Sequence, residues 1–185
     1  MTFTQIGESK MPDLFRGTED LSAAVLIDGI NTHYCFKQSL NWMPDYKKML
    51  DYFRRTVILK KIYYFVSLDR DQEENSIIKL IDWLDYNGFI CKVTESDERN
   101  RGIQVDFTIQ AMKLIPSVDH FILFTGNSQF VPLVRHLDDA GKIVTICSTL
   151  YNQKMVSDAL RRAADNFVEI NDLKGHIEKD PISEQ

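Results

Sequence analysis

Two turns in this chain place polar side chains where an α/β sheet gathers them into a binding site. Asp28-Gly29-Ile30-Asn31 follows the apolar run Ala23 to Ile27, and Thr125-Gly126-Asn127-Ser128-Gln129-Phe130 follows His120 to Phe124. Ligands of open α/β sheets sit outside the carboxyl ends of the strands, so residues just past such runs are the ones to inspect. A carboxylate held at a strand tip suits a hard cation, and Asn31 would set an uncharged amide beside it. Asp and Asn also form turns by bonding their own backbone, and the first motif taken alone favours that plainer role. In the second turn, Gly126 permits close backbone approach, and Ser128 can cap a following helix whose first N–H groups attract phosphate. Helix capping by itself explains that turn equally well.

The elements that must position these turns alternate along the chain. Ala23 to Ile27, Lys61 to Val66, Phe89 to Val93, His120 to Phe124 and Ile143 to Cys147 are apolar runs of strand length, and Phe167 to Ile170 can add a short last strand. Between them lie segments of helical period. Tyr46, Met49, Leu50 and Phe53 recur at three- and four-residue spacing behind Pro44-Asp45, and Ile77, Leu80, Ile81 and Leu84 share one face of a helix predicted over Glu73 to Tyr86. Asn87-Gly88 supplies the left-handed residue that ends such a helix. Further helices are predicted over Ile103 to Leu114, stopped by Pro116, over Phe130 to Leu137, and over Met155 to Ala164. Strand and helix in alternation indicate βαβ units around a mostly parallel sheet.

Composition narrows the function. The chain has 185 residues, 44% hydrophobic, enough for one full core. Its 22 basic and 27 acidic residues give a net charge of −5, which argues against coating nucleic acid through bulk charge. No stretch of about 18 uncharged apolar residues is present, and no signal peptide opens the sequence, so a soluble, cytoplasmic protein without membrane contact is expected. Cys35, Cys91 and Cys147 lack zinc or redox spacing and read as free thiols. No Gly-x-Gly-x-x-Gly or Gly-x-x-x-x-Gly-Lys loop follows a strand, which disfavours a dinucleotide or P-loop site. A receiver domain would need an acidic pair after its first strand, and Asp28 stands alone.

Several segments in order resemble the NYN-domain family of the PIN-like nuclease superfamily, in its LabA-like bacterial branch. They are Val25-Leu26-Ile27-Asp28-Gly29-Ile30-Asn31, Asp45-Tyr46 to Phe53-Arg54, Tyr63-Tyr64, Asp82-Trp83-Leu84-Asp85-Tyr86-Asn87-Gly88, and Leu160-Arg161-Arg162-Ala163-Ala164-Asp165-Asn166-Phe167. The resemblance covers about residues 22–174, leaving an N-terminal extension over 1–21 and a C-terminal tail over 175–185 that is expected to be disordered. It implies a three-layer α/β sandwich, a Mg²⁺ or Mn²⁺ centre that cleaves RNA, and self-association as a homodimer.

It also implies five acidic positions, and this chain departs at four of them. The family's Gly-hydrophobic-Asp, with a second Asp six residues later, is met here by Gln104 and Gln110. Its Ser-Gly-Asp-x-Asp-Phe is met by Asn127 and Gln129, so only Asp28 keeps its charge. An amide oxygen can ligate a cation but neither attracts it from a distance nor takes a proton from water. At about 4 Å and an effective dielectric near 20, each lost carboxylate forfeits on the order of 8 kcal/mol of direct attraction to a dication before solvation compensates. Mg²⁺ often needs only one or two protein carboxylates beside substrate phosphates. Asp106, one turn before Gln110, is a candidate second ligand, although a solvated helix acid is the commoner role.

Three readings follow: a catalytically silent RNA-binding or regulatory domain, an active ribonuclease using Asp28 and Asp106, and an interaction module without nucleic acid. Asn31, Arg99, Arg101, Thr125 and Ser128 are the expected nucleic-acid contacts, while the two arginines read equally as a solvated loop. Phe36, Leu40, Trp42 and Met43 form an apolar segment that suits core packing better than a partner surface.

Overall fold

A computed structural model describes residues 14–15, 17–69, 75–96 and 102–180. Six strands, β1 (Ser22–Asp28), β2 (Ile58–Asp69), β3 (Ile90–Ser96), β4 (His120–Phe124), β5 (Ile143–Ser148) and β6 (Asn166–Glu169), form one sheet in the order β3-β2-β1-β4-β5-β6. All five strand pairings are parallel. The order reverses direction between β1 and β4, so a crevice opens at that switch point, outside the carboxyl ends of the two central strands.

Central strands of parallel sheets are covered on both faces and become apolar throughout. Accordingly Ala23, Val25 and Ile27 of β1 enter one core, and Ala24 and Leu26 enter the other. The first core is covered by α2 (Tyr46–Thr56) and α3 (Asn75–Tyr86), the second by α4 (Gln104–Leu114), α5 (Val131–Asp139) and α6 (Asp158–Ala163). This is the three-layer α/β sandwich expected. Asp45 caps α2 by accepting the Lys47 and Lys48 N–H groups, and Met49, Leu50, Tyr52 and Phe53 form its buried stripe. Phe15 extends the first core: its ring meets Tyr52, Phe53 and His120 at centroid distances of 5.6 to 6.3 Å.

Residues 29–40 carry no clean period, yet they are helical: α1 (Gly29–Tyr34) runs into a π-helical turn, Cys35–Leu40. The Cys35 N–H reaches both the Asn31 and Thr32 carbonyls, and Asn41, at φ 56°, closes the turn in the left-handed region. Phe36 and Trp42 are buried with ring centroids 4.6 Å apart, and Leu40 and Met43 pack on the same core.

Two corrections concern the C-terminal part. Residues expected as a disordered tail form part of the fold as far as 180. A 3-10 turn, Ile170–Leu173, leads into α7 (Lys174–Ile177), Ile177 is fully buried against α2, and its carbonyl accepts the Asp45 N–H at 2.7 Å. Lys48 then pairs with Asp180. The last sheet-side helix begins at Asp158 rather than Met155, because the preceding loop is drawn to the β4 turn: the Ser157 N–H donates to the Gly126 carbonyl at 3.0 Å.

Candidate functional site

Asp28 ends β1 at 5% exposure. Its Oδ1 accepts the Asn31 N–H at 3.1 Å, which caps α1, and its Oδ2 accepts the Thr125 hydroxyl at 3.3 Å. The two strand-tip turns are stitched further. The Gly126 N–H donates to Asn31 Oδ1 at 2.9 Å, and the Thr32 hydroxyl donates to the Phe124 carbonyl at 3.2 Å. Both turn glycines are required sterically. A Cβ on Gly29 would lie 2.6 Å from the Tyr64 ring, and one on Gly126 would lie 1.6 Å from the Met155 carbonyl oxygen.

Above these turns lies a cleft of about 530 Å³. Of the residues singled out in the sequence, Asp28, Asn31, Gln104, Asn127 and Ser128 line it together. Thr125 lies at 1% exposure and acts through Asp28. Gln129 stays outside: its N–H donates to Asn127 Oδ1 at 3.0 Å, and its Oε1 accepts from Asn127 Nδ2 at 3.4 Å. Gln110 donates to the Tyr63 hydroxyl at 3.1 Å. Asp106 accepts the Thr94 hydroxyl at 2.7 Å. Phe65 pairs with both Asp28 and Lys92, and Thr94 follows two residues later. Two strand spacings of about 4.8 Å and two residues of about 3.3 Å therefore set the Asp28 and Thr94 backbones about 12 Å apart. Asp106 is thus held with the edge strand rather than beside Asp28. Arg99 and Arg101 lie outside the described residues.

The cleft also contains residues that the sequence reading passed over. Ile30 and Tyr34, one turn apart on α1, form an apolar and aromatic wall, and Gln153, Lys154 and Ser157 enter from the loop after β5. The strand-tip rule covers that loop as well, but assigning Met155 to a helix hid it. Ser67, near the end of β2, contributes a buried hydroxyl without a hydrogen-bond partner among the described residues.

Electrostatically the cleft is sparse. Burial pushes the Asp28 carboxyl above the usual range, opposed by bonds from Asn31, Thr125 and Ile30. Among the described residues that line it, Asp28 and Lys154 are the charged ones. Among the described residues this donor set, one carboxylate with amides, is poor in the anionic ligands that hold Mg²⁺ or Mn²⁺ tightly. Each Asp28 oxygen accepts one protein donor, and the Asn127 carbonyl oxygen accepts the Gln129 N–H. Among the described residues no three His, Cys, Asp or Glu side chains are grouped for a metal.

Comparison with known proteins places this geometry. The family model for the NYN domain matches residues 22–171. The chain belongs to the NYN-domain family. It is therefore a member of a ribonuclease superfamily whose NYN branch binds RNA and is generally metal-dependent. It is 25% identical over 166 residues to the low amplitude and bright protein LabA of Synechococcus elongatus, covering 84% of this chain and 87% of that protein. A crystal structure of a Vibrio parahaemolyticus protein of unknown function superposes with a TM-score of 0.71 at 22% identity, covering 86% of this NYN chain and 96% of that one, and supports the fold. Among the described residues no helix is long and apolar enough to cross a membrane.

Proposed function

We propose that this NYN protein binds RNA in the switch-point cleft without cutting it, and acts as a cytoplasmic regulatory or recognition protein. The observation that carries this reading is Asp28: among the described residues it is the one carboxylate lining the cleft, and each of its oxygens accepts a hydrogen bond from the protein. Metal-assisted phosphoryl chemistry needs anionic ligands to gather the cation and lower the pKa of its water. Here that demand falls on one buried, engaged carboxyl, with amides at Gln104 and Asn127.

Neutralising a cleft removes repulsion toward phosphate and leaves RNA recognition possible. Lys154 supplies a cation for a phosphate, and Asn127, Ser128, Gln153 and Ser157 supply uncharged hydrogen-bonding groups. Tyr34, 47% exposed beside Ile30, offers a face on which a base can stack.

The test incubates the purified chain with single- and double-stranded RNAs in Mn²⁺ or Mg²⁺, beside Asp28→Ala, and follows binding by fluorescence anisotropy. Bound but uncut RNA is expected. Lys154→Ala should weaken binding and reduce the salt slope by about one, as loss of a single phosphate contact does. Tyr34→Ala should cost about 1–3 kcal/mol and leave that slope unchanged, as loss of a stacked base does. Metal-dependent cleavage abolished by Asp28→Ala would overturn the reading in favour of an active nuclease, and failure to bind any RNA would overturn it in favour of a protein-interaction module.

A further inference from the structure

The loop between β5 and α6 holds an aromatic ring out in solvent and tethers it there. Tyr151 is 70% exposed. The loop around it is fixed by hydrogen bonds: the Leu150 N–H donates to the Glu169 carboxylate at 2.8 Å, the Tyr151 N–H to the Thr149 hydroxyl at 3.1 Å, and the Lys154 N–H to the Asn152 side-chain oxygen at 3.1 Å. The ring is held as well. Its hydroxyl accepts the Asn171 side-chain N–H at 3.4 Å, and the oxygen of that same amide accepts the Trp42 indole N–H at 3.1 Å. Trp42 is buried, so the tether reaches the core. A ring fixed by its hydroxyl edge has lost side-chain freedom before a ligand arrives, which lowers the entropic cost of stacking on it.

The ring stands at the rim of the switch-point cleft. Gln153, Lys154 and Ser157 of the same loop line that cleft. Asn152, next to Tyr151, donates through its side chain to the Ser39 hydroxyl at 3.4 Å, and Ser39 lies on the helical path that begins with Tyr34 and its neighbours. Five residues separate Tyr34 from Ser39, about 7 Å along the axis. One surface therefore runs from Tyr34 in the cleft, past Lys154, to Tyr151 and Asn171 on the β6 side.

The charges along this surface select the occupant. Lys154 supplies a cation within the cleft. The Glu169 carboxylate is engaged by the Leu150 and Asn171 N–H groups. Asp172, exposed beside Asn171, disfavours a phosphate at the far end but tolerates the neutral face of a base. Two exposed rings with a cation on the way from one to the other make a groove for a single strand, in which bases stack and charge holds the backbone.

We infer that Tyr151 is a second stacking platform, taking an unpaired base of the same single-stranded RNA that occupies the cleft. This rests on the reading of the cleft as an RNA site, and adds a path to it: the strand leaves the cleft over the loop after β5, toward β6.

Fluorescence anisotropy with a single-stranded RNA of about eight nucleotides, within the roughly 4–16 that such grooves span, tests this on the full chain. Tyr151→Ala should raise the dissociation constant roughly 5- to 150-fold, as loss of one stacked base does, and leave the salt slope unchanged. Tyr151→Phe keeps the ring while losing the Asn171 bond, and should bind more tightly than Tyr151→Ala. Tyr151→Trp should gain an indole emission that RNA quenches beyond any change in the wild type, a signal that a merely structural role would not give. If the wild type binds the oligonucleotide but Tyr151→Ala stays within about twofold of it, or the introduced indole does not respond to RNA, the inference is overturned. The cleft reading would survive that result, since Lys154→Ala and Tyr34→Ala test it separately. A wild type that binds no RNA would overturn both.

Discussion

The side-chain oxygen of Asn31 accepts the Gly126 N–H at 2.9 Å across a sequence separation of 95 residues. This contact joins the turn after β1 to the turn after β4 and so sets the floor of the cleft. Gly126 is buried, so removing the acceptor strands its N–H. Asn31→Ala should destabilise the fold by about 1–3 kcal/mol, the cost of an unpaired buried donor. Ser128→Ala, in the same turn but exposed, should stay within about 0.5 kcal/mol of wild type. Urea unfolding of the two variants separates these outcomes, and equal effects would mean that the stitch contributes little.

His120 begins β4 at the opposite end of the sheet, fully buried, with Nε2 2.8 Å from the Thr145 hydroxyl and Nδ1 without a partner among the described residues. Burial depresses its pKa to about 4, against a weaker opposing pull from Asp165. A depressed folded-state value means that the unfolded chain binds the proton first. The stabilisation is therefore present above the unfolded pKa and lost as pH falls from about 6.5 to about 4, approaching 3 kcal/mol in all. His120→Gln, which does not titrate, should lack that part of the acid loss. Urea midpoints for both proteins across this range are the measurement, and parallel curves would contradict it.

Ile177 closes the first core from beyond the expected end of the domain, packing on α2 with no exposed surface. Ile177→Ala should cost about 2–5 kcal/mol, as large-to-small changes in packed cores do. Ending the chain after Leu173 would also remove the carbonyl that accepts the Asp45 N–H, and should lower the melting temperature further than the point substitution. A truncated protein as stable as wild type would show α7 to be dispensable.

The sheet was readable because β1 and β4 are near-continuous apolar runs, and because residues facing core and strand tip follow from a period of two. Asp28, Asn31, Gln104, Asn127 and Ser128 converge on the cleft as their places after strands or at a helix start imply. Other features lacked a local signal. The helical path of 29–40 depends on the Asp28 cap and on Phe36 finding the core, both tertiary facts. Ile177 sits in a polar stretch where one apolar residue has no period to betray it. Gln110 and Asp106 share a helical edge, yet Tyr63 and Thr94 hold them outside the cleft lining, which spacing alone does not reveal.

Returning charge to the cleft tests the reading of the site as a disabled metal centre. Gln104→Asp and Asn127→Asp together place two carboxylates in the same cleft as Asp28, whose carboxyl burial already holds above the ordinary range. Like charges raise the folded-state pKa values of all three further. Their protonated forms are then favoured in the folded protein. The stability they contribute is complete below the unfolded carboxylate value near 4 and lost as pH rises through the higher folded values. Without metal, the double variant should therefore melt below wild type at neutral pH and approach it in acid. Added Mn²⁺ should reverse the neutral-pH loss, with about 2.7 kcal/mol of stabilisation at a hundredfold excess over the dissociation constant, and should leave the wild-type melting temperature where it was. Equal stabilisation of both proteins by Mn²⁺ would mean that Asp28 and the amides already hold the ion, and the cleft would have to be read as a working metal site.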